Sequence, residues 1–192
     1  EMRRILCGYD SSRILATYGN ANELLEEFKS EFNLQNIQSK RSLWHIFSEG
    51  IISGSNFMAS FKDKEDFDNF IKTFALDKYT KAALPMLLSK EIKGFGFALA
   101  CDFLKELGYR DYPKPDVHLI KIFFDLGLSK TEDQYDVYKT IIEMSELVGE
   151  DAYTVDKIFW LISSGRFYLV NVETGRNRDK FIEMTKMKIL SK

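Results

Sequence analysis

Apolar residues recur along almost the whole chain at three- and four-residue steps, and this limits the fold more than any other feature. Leu24, Leu25, Phe28 and Phe32 form one stripe. Leu43, Phe47 and Ile51, with Ile46 beside them, form a second, and Phe67, Phe70, Ile71 and Phe74 a third. Further on, Tyr138, Ile141 and Ile142 share a face, as do Val155, Ile158, Phe159 and Ile162. Side chains return to the same side about every 3.6 residues in a helix and every two in a strand, so these spacings predict helices. Only Phe167 to Val172 (FYLVNV) reads as a strand. Three prolines and eleven glycines are few for a turn-rich all-β chain. The expected class is therefore all-α, built from many short helices. Ser129 with Glu132 predicts a capping box that opens a helix, and Gly108 and Gly165 predict helix stops. The segment 81–89 predicts a helix with Pro85 confined to its first turn.

The chain has 192 residues, 45% of them hydrophobic, which is enough for a real core in one domain or in two small lobes sharing one. Lys and Arg number 27 against 29 Asp and Glu. A strongly basic footprint is thus absent from the total, and any contact with nucleic acid must come from a local patch. Cys7 and Cys101 form no CxxC pair or Cys/His cluster, which excludes a structural zinc site or an iron–sulfur cluster. Cys101 sits in an apolar run as a small hydrophobe. With no signal peptide and no bilayer-length apolar stretch in view, the expected setting is the cytoplasm, or the nucleus in a eukaryote.

One stretch departs from plain helix patterning: EIKGFGFALACDFLKELGYRDYPKPDVHL, Glu91 to Leu119. Gly94 and Gly96 flank Phe95 and can take positive φ while leaving the backbone bare. A helix from Phe97 follows at once, with Ala100, Phe103, Leu104 and Leu107 on one face. Its first N–H groups have no internal partner and can meet a phosphate. The same glycines also serve as an ordinary turn between antiparallel helices. Asp116, after Pro115 and before an apolar run, reads first as an ordinary N-cap, and otherwise as a fixed carboxylate able to stabilise positive charge or activate water. His118 can titrate near neutrality or simply pack. His45, beside Trp44, reads as structural.

Taken together, IKGFGFALACDFL and PKPDVHLIKIF resemble the helix-hairpin-helix (HhH-GPD) DNA glycosylase superfamily, the group containing endonuclease III. Gly94 and Gly96 match the hairpin glycines, Ala100 the small helix residue, Asp116 the catalytic aspartate and His118 the histidine after it. Ile51 to Asn56 (IISGSN) resembles the family's pocket-edge segment, and VDKIFWLISSGRF the closing helices of members without a cluster. The resemblance is specific over about thirty residues and architectural elsewhere. It implies two helical lobes with a helix-hairpin-helix motif and a cleft between them. The central lobe would span 35–110 and the second 1–34 with 111–192.

The resemblance further implies Asp116 as the catalytic residue and Lys93, Gly94, Phe95, Gly96 and Ala98 as DNA-backbone contacts. Trp44, Ser55, Asn56, Tyr112 and His118 would line the base pocket. The carbonyls of Lys90, Ile92 and Phe95 could hold a structural monovalent cation, with no other cofactor. The implied partner is double-stranded DNA carrying a damaged or mispaired base, met by a monomer without a membrane. Four departures bear on the chemistry or on the DNA contact. Bifunctional members carry a lysine where this chain has Ala98, and alanine cannot form a Schiff base, so a monofunctional enzyme is expected. The four-cysteine cluster motif is missing. Ser55 replaces the usual pocket glutamine, which leaves the excised base open, and Lys93 replaces the hairpin proline. The alternatives are a non-catalytic helix-hairpin-helix DNA-binding protein, an oxidised-base glycosylase/lyase using another lysine, and a helical protein-interaction domain.

Overall fold

A computed structural model describes residues 1–35, 37, 39–167, 172–173 and 175–190. Among them eleven α-helices follow one another: α1 (Met2–Ile5), α2 (Ser11–Thr17), α3 (Ala21–Glu31), α4 (Leu43–Ala59), α5 (Lys64–Lys72), α6 (Lys78–Glu91), α7 (Phe97–Glu106), α8 (Val117–Asp125), α9 (Gln134–Val148), α10 (Ala152–Ser164) and α11 (Arg178–Leu190). A 3-10 turn, Cys7–Tyr9, joins α1 to α2. The chain is mostly helical, as the periodicity predicts. None of the described helices is long and apolar enough to cross a membrane.

Two compact units emerge: Glu1–Phe74 with Met86–Gly96, and Ala75–Pro85 with Phe97–Lys192. The division falls within α6 at Pro85, eight residues into the helix and not in its first turn as expected. Proline has no N–H to give to the carbonyl four residues back, so the helix continues through it one bond short. The expected second lobe joined residues 1–34 to 111–192. In the fold α2 and α3 pack on α4, which places residues 1–34 in the first unit.

The first unit closes on Ile5, Leu6, Ile14, Tyr18, Leu24 and Phe28, with Trp44, Ile51 and Ile52 of α4 against them. Tyr18 is satisfied there by donating to the Ile5 carbonyl at 3.0 Å. In the second unit α8 packs on α9, α10 and α11. Leu119, Ile122 and Phe123 are buried there, as are Val137, Tyr138, Ile141 and Ile142.

Side-chain caps decide where helices begin. Asp133 opens α9 by accepting the N–H groups of Tyr135 and Asp136, so the helix starts five residues beyond Ser129. Ser129 is drawn elsewhere. Its N–H and that of Leu128 close the end of α8 on the Phe123 carbonyl, and its hydroxyl donates to Thr131. At the other end, α10 stops at Gly165, left-handed at φ 70°, as predicted. The expected strand Phe167–Val172 is seen only at its ends. Phe167 lies in β1 (Arg166–Phe167) and Val172 in β2 (Val172–Glu173), which pair antiparallel; residues 168–171 lie outside the described residues.

Candidate functional site

The glycine turn is seated on α4 through its backbone, wholly within the first unit. The Ile92 carbonyl accepts the Phe95 N–H at 3.2 Å and closes the turn. The Lys93 N–H donates to Ser53 Oγ at 2.9 Å, and a Cβ built on Gly50 would meet the Lys93 carbonyl at 3.0 Å. Gly94 has φ 79°, and a Cβ there would stand 2.7 Å from Ile46 Cγ2. Ile46, Gly50 and Ser53 are spaced four and three apart, one side of a helix. They form a narrow seat that only a bare backbone fits.

Gly96 differs. Its φ is not positive and nothing lies within 4 Å of an added Cβ, so its expected left-handed conformation is not adopted. It is open backbone directly before α7. Lys93, Gly94 and Gly96 are exposed, and Phe95 and Ala98 are half-buried. The Ile92 carbonyl serves the turn, and Lys90 lies exposed in the last turn of α6. Among the described residues no group of three or more His, Cys, Asp or Glu side chains is placed to hold a metal ion.

Asp116 lies in the second unit as the N-cap of α8. Its Oδ1 accepts the His118 N–H at 2.9 Å and the Leu119 N–H at 3.2 Å. The side chain is half-buried, and Val117 beside it is 74% exposed, so this helix start opens to solvent. No hydrogen bond reaches Asp116 Oδ2 from the described residues. The Asp116 N–H turns back to the Lys114 carbonyl at 2.8 Å across Pro115, whose fixed φ suits so tight a turn.

The loop carrying Asp116 is clamped to α10. The Tyr153 N–H donates to the Arg110 carbonyl at 2.9 Å. Arg110 Nε meets Asp151 Oδ2 at 2.6 Å, while Asp151 Oδ1 caps α10 through the Thr154 N–H at 2.7 Å. Arg110, then Thr154, hold the Asp151 carboxyl below its usual range. The Lys114 N–H donates to Asp156 Oδ2 at 2.7 Å. Asp156 is 2% exposed, and its nearest cation is Lys105 Nζ at 3.5 Å. Lys105 also meets Asp102 at 3.1 Å, and Asp102 meets Lys114 Nζ at 2.8 Å.

Two carboxylates and two ammonium groups thus interlock under the loop. Burial pushes the Asp156 carboxyl above its usual value, against the pull of Lys105 and the Lys114 N–H. Burial opposes ionisation of Asp102 too, but Lys114 and Lys105 outweigh it and hold that carboxyl low. A route of hydrogen bonds therefore runs from buried Asp156 through the Lys114–Pro115–Asp116 turn to the cap of α8.

His118 stands beside this cap. Its Nδ1 is 3.4 Å from Ser163 Oγ, and its ring meets Trp160 edge-on at 6.1 Å. Tyr112 is 2% exposed and its hydroxyl is unpartnered, as is that of Tyr138; burial raises both phenols. Tyr112 is thus a core residue of the second unit. In the first unit, Trp44 packs among Phe28, Phe32 and Phe47 at 5.3–6.1 Å. Ser55 is buried on α4, whereas Asn56 is exposed and donates to the Ile52 carbonyl at 3.0 Å. Asp116 and His118 are brought together; Ser55 and Asn56, adjacent on one helix, face different surroundings.

Sequence reasoning missed Ser53, Gly50, Asp102, Lys105 and Asp156. Two signals pointed to three of them: small residues recurring in the otherwise apolar α4, for Gly50 and Ser53, and a lone carboxylate beside Val155 in the apolar stripe of α10, for Asp156. Comparison with known protein families, with curated proteins and with solved structures finds no match to this chain.

Proposed function

We propose that the protein is a monofunctional DNA glycosylase of base-excision repair, with Asp116 as its catalytic carboxylate. The observation that carries this reading is the way Asp116 is held: one oxygen is locked by two N–H groups, while the other takes no bond from the described residues. The backbone behind it is fixed to a buried carboxylate. A carboxylate of this kind keeps its place while charge develops next to it.

A base inside a duplex is out of reach, so the enzyme would flip it out, at a cost of about a few kcal/mol that is lowest for a damaged or mispaired base. The bare backbone at Gly94–Gly96 would meet phosphate, as the glycine turn of a helix-hairpin-helix motif does. The flipped base would enter a cleft reached by His118. Breaking the N-glycosidic bond leaves an oxocarbenium-like sugar, which Asp116 would stabilise while water attacks. Ala98 offers no amine, so the reaction would end at an abasic site.

The test is base release from duplexes carrying alkylated, oxidised, deaminated and mismatched bases, read as abasic sites. Asp116→Asn should lower release by about a hundredfold or more, and release at the normal rate would sink the assignment. Covalent trapping of the unmodified protein on DNA by borohydride would instead show a lyase that uses another lysine.

A second reading keeps the DNA-binding turn without chemistry. It is favoured by the ordinary capping geometry at Asp116. It predicts salt-dependent DNA binding with no base release from any duplex.

A further inference from the structure

We infer that Ser163 is a positioning residue for His118. It keeps the neutral imidazole's proton on Nδ1 and so presents Nε2, beside the Asp116 cap, as a lone-pair acceptor for an N–H or O–H donor. The state of the ring follows from contacts within the second unit. What Nε2 meets during the reaction rests on the DNA reading above.

Ser163 lies near the end of α10 and is 3% exposed. It stands four residues beyond Phe159, which meets Phe123 of α8 at 4.8 Å, so both project toward α8. A serine inside a helix commonly turns its hydroxyl back to a carbonyl three or four residues earlier. Ser48 does so to the Trp44 carbonyl at 2.9 Å, and Ser145 to that of Ile142 at 2.7 Å. Ser163 reaches across to the neighbouring helix instead. Its Oγ lies 3.3 Å from the His118 carbonyl oxygen and 3.4 Å from His118 Nδ1. From the same helix, Trp160 meets the His118 ring edge-on at 6.1 Å.

One hydroxyl thus serves two atoms, and their chemistry assigns the hydrogens. A carbonyl oxygen only accepts, so the Ser163 hydroxyl donates to the His118 carbonyl. Oγ then has only lone pairs to offer Nδ1. A bare Nδ1 would set lone pair against lone pair beside a buried hydroxyl. Nδ1 must therefore carry the imidazole proton and donate it to Oγ. In the neutral ring that leaves Nε2 without a hydrogen, and no hydrogen bond reaches Nε2 from the described residues.

Asp116 Oδ2 and His118 Nε2 are then two acceptors without protein donors, two residues apart at one helix start that opens to solvent. The group they suit brings hydrogens of its own. In the proposed reaction two groups do so: the attacking water and the N–H edge of a flipped base. Either would donate to Nε2 while Asp116 faces the sugar.

The test uses the full chain labelled with nitrogen-15 in histidine. Long-range proton–nitrogen spectra are taken at about pH 8, where a free imidazole is neutral. The chain has two histidines, and His118→Gln shows which signals belong to His118. The expected parent ring carries its proton on Nδ1 and none on Nε2. In Ser163→Ala the signals should move toward the Nε2–H form. A parent ring protonated on Nε2 would overturn the inference, and so would an unchanged ring in Ser163→Ala. Base release then shows what Nε2 meets. Ser163→Ala should lower it roughly tenfold, the loss of one hydrogen bond. A fall in kcat alone identifies the water, and a rise in KM identifies the base edge. A moved proton with kcat and KM both unchanged would overturn the role of Nε2. A parent with the expected ring but no base release from any duplex would overturn the DNA reading and leave the ring assignment standing.

Discussion

Removing Asp156 tests the idea that the position of Asp116 is set from below. In Asp156→Ala the Lys114 N–H loses a charged acceptor at 2.7 Å, and Lys105, whose side chain is 7% exposed, keeps only Asp102. A hydrogen bond to a charged group contributes about 1.5–3 kcal/mol. Breaking a buried ion pair by deleting one partner costs about 3–5 kcal/mol, because the other charge stays buried. The two figures overlap, and Asp102 still neutralises Lys105 in part, so the expected loss is about 3 kcal/mol. Asp156→Asn keeps an oxygen for the Lys114 N–H and should lose about half as much. Urea unfolding of the Trp44→Phe protein, followed by the fluorescence of Trp160 in the same unit, measures both. Amide exchange at Lys114 reports the local bond and should speed up in Asp156→Ala more than in Asp156→Asn. A loss below about 0.5 kcal/mol in Asp156→Ala, with Lys114 exchange unchanged, would refute the account.

The acidity of Asp156 gives a second prediction. Its carboxyl is raised in the fold, so the native state binds the proton more tightly than the unfolded chain. Its contribution to stability therefore falls as pH rises from the ordinary carboxyl value, about 4, through the raised one. The stability of the parent protein relative to Asp156→Asn should be greater near the low end of that window than at neutrality, and urea midpoints showing the opposite trend would refute it. Gly94→Ala should cost about 2–4 kcal/mol, from its positive φ and the 2.7 Å approach to Ile46, with part recovered by Ile46→Ala; Gly96→Ala should change the midpoint little. Ser53→Ala should cost about 1 kcal/mol and speed exchange of the Lys93 amide. Asp116→Asn keeps a good N-cap, so its unfolding midpoint should stay near that of the parent while Asp116→Ala loses about 1 kcal/mol, and a large loss in the asparagine variant would show the charge itself to be structural.

What the sequence made legible was local. Period and caps are properties of neighbouring residues, so the stripes at Leu24–Phe32 and Phe67–Phe74 became α3 and α5, and Gly165 ended α10. Asp116 was readable as a cap for the same reason. The errors arose where one residue had two good local uses and a distant contact chose between them. Ser129 and Asp133 can both cap a helix, and the Phe123 carbonyl at the end of α8 took the Ser129 backbone. Gly94 and Gly96 are equivalent on paper, yet only Gly94 faces a side chain of α4. The resemblance put Trp44 in a base pocket, but its place among Phe28, Phe32 and Phe47 depends on α3 lying against α4.

The polar partners were the least legible, because a buried carboxylate is explained only by what it touches. Asp156 stands about forty residues downstream of Lys114, in a helix whose pattern alone would place it among apolar neighbours. Its partner is a backbone N–H, which every residue but proline carries, so no sequence pattern could single out Lys114. Counting residues from the glycines to the aspartate measures only contour length, and the loop from Gly108 to Pro115 could take many paths at that length. What fixes the loop within the second unit is the series of clamps around the start of α10: Tyr153 on the Arg110 carbonyl, Asp151 on the Arg110 side chain, and Asp156 on the Lys114 N–H. A chain that kept both glycines and the aspartate but lost Asp151 and Asp156 would retain the spacing without the placement. The double variant Asp151→Ala/Asp156→Ala is therefore expected to lower the proposed base release, read as abasic sites, while leaving Asp116 itself untouched.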